Sequence, residues 1–320
     1  MTHPADVPDD ASEAPLIVVN PRAARLHDAQ RRAEIVAAVV RAVHARTGQT
    51  PTVQSGDMTA AQAALAASGG APLVVAVGGD GTIRQAAAAL AGRSTVLAVV
   101  PGGTGNVLAG SFGIRGIGPA LDVIRHGEPR TMDLGVARWG SAGVPEPADE
   151  AIFMVACGMG LDARIMAAAE HEWKRRMRFG AYVGAAIKEL ARLRPVSFRI
   201  EADGERLEIR GYLAMVANAG ELVPGRIGPR RRIDPTDGRL DLIVVGGGNP
   251  AAGLHSVARL IGDRGDLRGS VIRRTVETVR IESQPPEPIE IDGDHEPPSW
   301  LEARVLPGVI RVLAPLLALP

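Results

Sequence analysis

The stretch LVVAVGGDGTIRQAAAALAG, Leu73–Gly92, runs from an apolar segment through a glycine-rich turn holding one aspartate into an alanine-rich segment. Apolar residues without alternation read as a strand buried on both faces, and the segment after the glycines reads as a helix. In an open α/β sheet, ligands collect where strands end, because helix starts there offer unpaired amides and a field that favours anions. Gly78, Gly79 and Gly81 let the main chain approach a phosphate, and Thr82 can cap the helix or donate its hydroxyl. Asp80 suits a magnesium ion held directly or through water. The same residues also read as a tight turn with Asp80 as a helix cap.

Working outward, strands and helices alternate. PLIVVN (Pro15–Asn20) is a strand, and AQRRAEIVAAVVRAVHARTG a helix with Ile35, Val36, Val39, Val40 and Val43 at helical spacing and Gly48 as its stop. TPTVQS is a second strand, MTAAQAALAASGG a helix and TVLAVVP a fourth strand. The expectation is a doubly wound parallel α/β sheet covered on both faces and joined by right-handed crossovers. TVLAVVP leads into PGGTGNVLAG, a second glycine-rich turn with Thr104 and Asn106 on the neighbouring unit, and two such turns on one rim suggest a nucleotide. Beyond Asp133 the texture is β-rich, in AIFMVACGMG, VSFRIEAD, ERLEIRGYLAMVANAG, GRLDLIVVGGG, TVETVRIES and PIEIDGD. Helices are expected there around RRMRFGAYVGAAIKELARL and PAAGLHSVARLIG, and an exposed loop at SAGVPEPADE.

Composition bounds the rest. A chain of 320 residues with 46% apolar content fits two domains. Thirty-six basic residues balance thirty-six acidic ones, so no global field points to nucleic acid. The single cysteine, Cys157, excludes an internal disulfide, suits a reducing cytoplasm and reads as a small buried apolar residue. Residues 1–13 read as a disordered lead-in without the basic start and apolar core of a signal peptide. VLPGVIRVLAPLLALP is shorter than the roughly 20 residues of a spanning helix. Interrupted by Pro307, Arg311 and Pro315, it reads as a packed strand and tail, or else an interfacial contact.

With NPRAAR from Asn20, GGDGT, PGGTGN, MDLG at Asp133, GMGLDA (Gly158–Ala163), DPTDGRLD (Asp234–Asp241) and IDGD (Ile291–Asp294) in this order, the chain resembles the diacylglycerol kinase catalytic-domain family. GGDGT alone is shared with NAD kinases and phosphofructokinase-like enzymes; the later motifs make the match specific. The resemblance implies an ATP-binding domain over 14–134 with a returning segment 305–320, and a β-rich, sandwich-like lipid-substrate domain over 135–304, with the active site in the cleft between them. It implies an ATP- and Mg2+-dependent lipid kinase, diacylglycerol to phosphatidic acid being the leading expectation. Asn20, Ser55, Gly78, Gly79, Asp80, Gly81, Thr82, Gly103, Thr104 and Asn106 would surround the nucleotide, with Asp80 and Asp133 in the acid and water network of catalytic magnesium. Asp237, with main-chain oxygens of Asp234 and Arg239, resembles a structural magnesium site; the residues alone read equally as an Asp–Gly turn.

By the same resemblance Asp294 is the base that takes the hydroxyl proton, a shorter acid where the family has glutamate. Glu296 is the alternative base, impaired transfer a third outcome, and a plain hairpin turn the reading without chemistry. The first turn lacks the family's usual glycine and serine, and Arg84 stands where asparagine is frequent. A basic cluster with aromatics, Trp173, Lys174, Arg175, Arg176, Arg178 and Phe179, reads as a peripheral contact with an anionic membrane or as a solvated helix face. The run Pro224–Asp234 has the same two readings, and His255 shows no metal-ligand spacing. The expected setting is the cytoplasm, at the inner membrane face, with a homodimer left open. Competing functions are a sphingosine-like lipid kinase, an NAD kinase and a non-catalytic lipid- or nucleotide-binding protein.

Overall fold

The computed structural model describes residues 14–56, 70–103, 106–141, 143–144, 146–160, 195–219, 233–248 and 271–315. The helices expected over 58–70, 175–193 and 250–262 lie outside the described residues, Gly70 excepted, as do Thr104, the basic cluster, His255 and most of the run from Pro224. The chain divides into two compact units, Met1–Thr131 with Ile310–Pro320, and Met132–Val309.

The first unit is built on β1 (Leu16–Val19), β2 (Thr52–Ser55), β3 (Leu73–Gly78) and β4 (Val96–Pro101). They run in the order β2-β1-β3-β4, and the end of β15 (Ser299–Ala314) adds a fifth parallel strand through Arg311 beside Val96 and Val312 beside Leu97. All six residues of β3 are buried, so both faces of the sheet are covered there. Helix α1 (Ala29–Thr47) starts where the Asp28 side chain accepts the Arg31 amide, and it stops at Gly48, left-handed at φ 70°. Ile35, Val39, Ala42 and Val43 are its buried stripe, while Val36 and Val40 are half-buried. Helix α2 (Asp80–Leu90) follows β3 directly.

Two further helices, α3 (Val107–Ser111) and α4 (Ile117–His126), have no counterpart among the sequence expectations. Gly110, Gly113, Gly116, Gly118 and Pro119 break up the apolar period there, and α4 is held instead by packing of Ala120, Val123 and Ile124. The Arg46 guanidinium, from the last turn of α1, donates to Ile124 and Gly127 carbonyls at 3.2 and 2.9 Å, closing the end of α4.

The second unit is antiparallel. It contains β5 (Glu128–Ser141, entering from the first unit), β6 (Asp149–Phe153), β7 (Ala156–Gly160), β8 (Val196–Ala202), β9 (Glu205–Ala217) and β10 (Leu240–Gly246). β11 (Val271–Val276), β12 (Thr278–Gln284), β13 (Ile289–Ile291), β14 (Asp294–Glu296) and most of β15 complete it. Their order is β14-β13-β7-β9-β8-β12-β15, with β10 joining β9 to β11, and β5 joining β15 to β6. Phe153, Met159, Phe198, Val216, Leu242, Ile281 and Leu301 lie in its core beside Cys157, which is fully buried as expected. TVETVRIES forms two strands, because the Asp203 carboxylate takes the amides of Glu277 and Thr278 and parts them. The described part of SAGVPEPADE is the exposed connection from β5 to β6 and the exposed start of β6. Among the described residues no helix is long and apolar enough to cross a membrane.

Candidate active site

Register fixes the first cluster. Val19 sits beside both Ser55 and Val77, and Gly78 beside Pro101, so β1 to β4 end together. Asn20, Ser55, Gly79, Asp80 and Gly103 follow those ends on one rim. In the order β2-β1-β3-β4, the chain reverses direction across the sheet between β1 and β3, the position where open α/β sheets bind ligands. Asn20 spans that point. Its amide nitrogen donates to Thr82 Oγ1 at 3.0 Å, its Oδ1 accepts the Arg22 amide at 3.0 Å, and its backbone N–H donates to Val77. Thr82 is buried and engaged by Asn20, and it does not cap α2, which begins at Gly79 without a side-chain cap. Ser55 is exposed at the end of β2.

The two glycine turns meet backbone to backbone. The Gly102 amide donates to Gly78 at 2.7 Å, and a Cβ on Gly103 would lie 2.7 Å from the Gly79 Cα. A Cβ on Gly78 would strike Thr82 Oγ1 at 2.4 Å. Asn106, left-handed at φ 48°, closes the second turn by accepting the Gly103 amide and donating to the Gly103 carbonyl. Asp80 is half-buried, and its Oδ1 accepts the Leu108 amide at 3.1 Å, so it caps α3 across the rim instead of its own helix. Among the described residues its second oxygen has no hydrogen bond, which leaves an acceptor for a metal-bound water. Gly81 differs from its neighbours: it is exposed, and a Cβ there would meet nothing within 4 Å. Packing therefore does not explain this glycine, whereas an arriving phosphate would.

The second cluster lies in the β-rich unit. Asp133 is buried, and its two carboxylate oxygens accept the amides of Gly238 and Gly308, each at 2.7 Å. Its backbone N–H donates to Pro235, and its carbonyl accepts from Asn218. Asp133 is thus a strut between β5, the 234–238 loop and β15, and both oxygens are already taken. In that loop Asp234 folds onto Thr236 through the amide and hydroxyl, and Asp237 accepts the Arg239 amide. Burial raises the Asp237 pKa above its ordinary value. The Arg239 amide opposes that shift, and the nearby charges of Asp234, Asp241 and Asp133 add to it. Asp241 has an ion-pair partner in Arg273 at 2.7 Å, and the Arg239 side chain pairs with Glu277. Among the described residues Asp237 Oδ2 has no hydrogen bond. Among the described residues no cluster of three or more His, Cys, Asp or Glu could hold a metal. The uncompensated charge at Asp237 nonetheless fits a cation sharing one carboxylate with main-chain oxygens.

The third cluster is the β13–β14 hairpin. Ile291 pairs with Asp294 across a two-residue loop, Asp292–Gly293, in which both residues have positive φ, 49° and 94°. Asp294 opens β14 and is exposed, and Glu296 is half-buried two residues further on the same face. Three residues organise this region, and the sequence marks only Asp292 among them, as part of the IDGD turn and with no role for its carboxylate. Asp292 takes the amides of Met154, Val155 and Ala156 at 2.8–3.0 Å. Buried Glu290 accepts the Gly293 amide, and fully buried Asn218 donates to the carbonyls of Asp133 and Met154. Of the other two, Asn218 carries a sequence signal, as a polar residue closing an apolar strand.

Comparison with known proteins covers both units. Residues 14–137 match the family model for the diacylglycerol kinase catalytic domain, and residues 155–314 the model for the YegS C-terminal NAD kinase beta sandwich-like domain. A diacylglycerol kinase of Mycobacterium tuberculosis is 30% identical over 258 residues, 79% of this chain and 80% of that protein. An uncharacterized protein of Synechocystis sp. is 25% identical over 251 residues, 77% of this chain and 55% of that protein, so the match spans about half of that relative's length. The crystal structure of a diacylglycerol kinase from Bacillus anthracis str. Sterne shares the fold with a TM-score of 0.69 at 20% identity, over 96% of this chain and 98% of that one.

Two outcomes test the geometry. Gly81→Ala should raise thermal stability, since alanine in a helix is favoured by about 0.5–1 kcal/mol, yet weaken nucleotide binding; Gly103→Ala should lower stability by roughly 1–3 kcal/mol. Calorimetric melting and ATP titration read both, and a Gly81→Ala protein that binds ATP normally would remove the ligand-based explanation of this glycine. For Asp237, a raised folded-state pKa means that the metal-free protein loses stability as pH rises from the ordinary 3.8 through the raised value. Magnesium should therefore raise the Tm at neutral pH by an increment that shrinks on acidification. Asp237→Asn should raise the metal-free Tm and abolish the increment; a wild-type Tm indifferent to magnesium at neutral pH would contradict the site.

Proposed function

The chain belongs to the diacylglycerol kinase catalytic-domain family, and on that premise we propose that it transfers the γ-phosphate of ATP to the hydroxyl of a membrane lipid, with diacylglycerol as acceptor and phosphatidic acid as product. The observation that carries this reading is the open, exposed approach at Gly81, beside the first-turn amides of α2 and the unbonded oxygen of Asp80. Those amides and the helix field suit a triphosphate. Magnesium, when bound, would neutralise charge on the transferring phosphate, and Asp80 is the residue that would hold it through water. Asn20, Ser55, Gly78, Gly79, Thr82, Gly103 and Asn106 shape the nucleotide side, and the resemblance adds Thr104; Asn20, Thr82 and Asn106 do so by fixing the turns and not as free donors. Asp133, its two oxygens held by the Gly238 and Gly308 amides, acts by fixing the Asp234–Arg239 loop and not as a member of the catalytic magnesium network.

The lipid hydroxyl attacks the γ-phosphorus, the bond to the β-phosphate oxygen breaks, and the hydroxyl proton passes to Asp294, leaving ADP. Asp294 is preferred to Glu296 because it is exposed at the start of β14, whereas Glu296 is half-buried. Catalysis at the inner membrane face from the cytoplasm, by a peripheral contact or as a homodimer, belongs to the same proposal. The description of the second matched model keeps an NAD kinase as the alternative acceptor chemistry.

Purified protein with labelled ATP, magnesium and mixed micelles should yield labelled phosphatidic acid, in preference to phosphorylated sphingosine or NAD offered in parallel. Asp80→Asn keeps an oxygen for the Leu108 amide, so it should fold normally while losing about 10²-fold or more in turnover. No labelled lipid from the wild type, or near-normal turnover by Asp80→Asn, would contradict the proposal.

A further inference from the structure

Asp292 stands beside the proposed base, yet its carboxylate is spent on the main chain. Oδ1 accepts the amides of Val155 and Ala156 at 2.9 and 3.0 Å, and Oδ2 accepts that of Met154 at 2.8 Å. Three successive amides converging on one carboxylate form an anion nest, and each charge-assisted bond of this kind is about twice as strong as a neutral one. The backbone of Asp292 returns the contact, its N–H donating to the Ala156 carbonyl at 2.9 Å.

The captured turn is itself tied to the strand end at Asn218. The Met154 carbonyl takes the Asn218 side chain at 3.0 Å, and the Val155 carbonyl takes the amides of Asn218 and Ala219. Met154 and Asn218 are fully buried, and Asn218 also holds the Asp133 carbonyl. An unbroken series of bonds therefore runs from the core to Asp292, and two residues later the chain reaches Asp294. Left-handed φ at Asp292 and Gly293 means the hairpin turn has little conformational freedom once that carboxylate is fixed.

We infer that Asp292 is a positioning residue for phosphoryl transfer, its carboxylate nest on Met154–Ala156 setting the backbone from which Asp294 presents its short side chain. Aspartate has one fewer rotatable bond than the glutamate of related chains, so its carboxylate can reach an acceptor only where the backbone puts it. The inference rests on the reading of Asp294 as base.

The experiment is a double-mutant cycle on the full chain, reading kcat and the KM for ATP with diacylglycerol in mixed micelles. Asp292→Asn keeps an acceptor for Val155 and Ala156 and turns a donor against the Met154 amide. It should lower kcat by about 10²-fold with little change in KM. In an Asp294→Asn background the same change should lower kcat no further, because Asp292 acts through Asp294. Asp203→Asn is the control for plain destabilisation: Asp203 is also left-handed, at φ 48°, and its carboxylate also captures main-chain amides, those of Glu277 and Thr278. It should lower the Tm and leave kcat intact. If Asp292→Asn fails to fold, Asp292→Ser, still able to accept one amide, takes its place. Near-normal kcat in the Asp292 variant, a loss no greater than in Asp203→Asn, or additive losses in the cycle would overturn the inference alone. Full kcat in Asp294→Asn would overturn the reading of the base, and this inference with it.

Discussion

At the ends of β3 and β4 two main chains lie closer together than side chains permit, and the shape of the glycine rim follows from that approach. Gly78 and Gly79 face Gly102 and Gly103; a Cβ on Gly103 would strike the Gly79 Cα, and one on Gly78 the Thr82 side chain. The Gly102 amide bonds across to Gly78, and Asp80 reaches over to the Leu108 amide. The approach fixes where α2 and α3 begin, and so where their unpaired amides point. An aspartate sits among these glycines because it is the link between the two turns; its spare oxygen is what remains for chemistry.

The β-rich unit is organised by buried polar residues. Asn218 and Asp292 sit where strands end and Asp133 lies within β5, and each satisfies main-chain groups that burial would otherwise leave unpaired. Asp133 holds the acidic loop at Asp237, Asp292 holds the hairpin that carries Asp294, and Asn218 joins the two by bonding both Asp133 and Met154. A carboxylate saturated with amides is a fixed point in the backbone, and the exposed acids of the unit are placed relative to such points.

Much of the fold is legible in the sequence. Continuous apolar runs name β1, β3 and β4, the period of α1 names its buried stripe, and two glycine turns after neighbouring strands name the rim. What is not legible depends on contacts remote in sequence. Asp80 finds its partner 28 residues away at Leu108, and Thr82 finds Asn20 62 residues back, so local rules offered only a self-cap or a free hydroxyl. The helix α4 escapes because glycines and Pro119 hide a stripe that packing alone makes helical. Asp292 reads as half of an Asp–Gly turn, and it is one; nothing local shows that its carboxylate gathers three amides from a turn more than 130 residues earlier.

The central claim is that the glycine rim holds a nucleotide. Amide hydrogen exchange of the intact chain, compared with and without saturating ATP and magnesium, tests it most directly. Slowed exchange at Gly79–Thr82 and at Gly102 and Asn106, with Val271–Val276 of β11 unchanged, is the predicted result. Unchanged exchange at the rim, or protection confined to the β-rich unit, would contradict it.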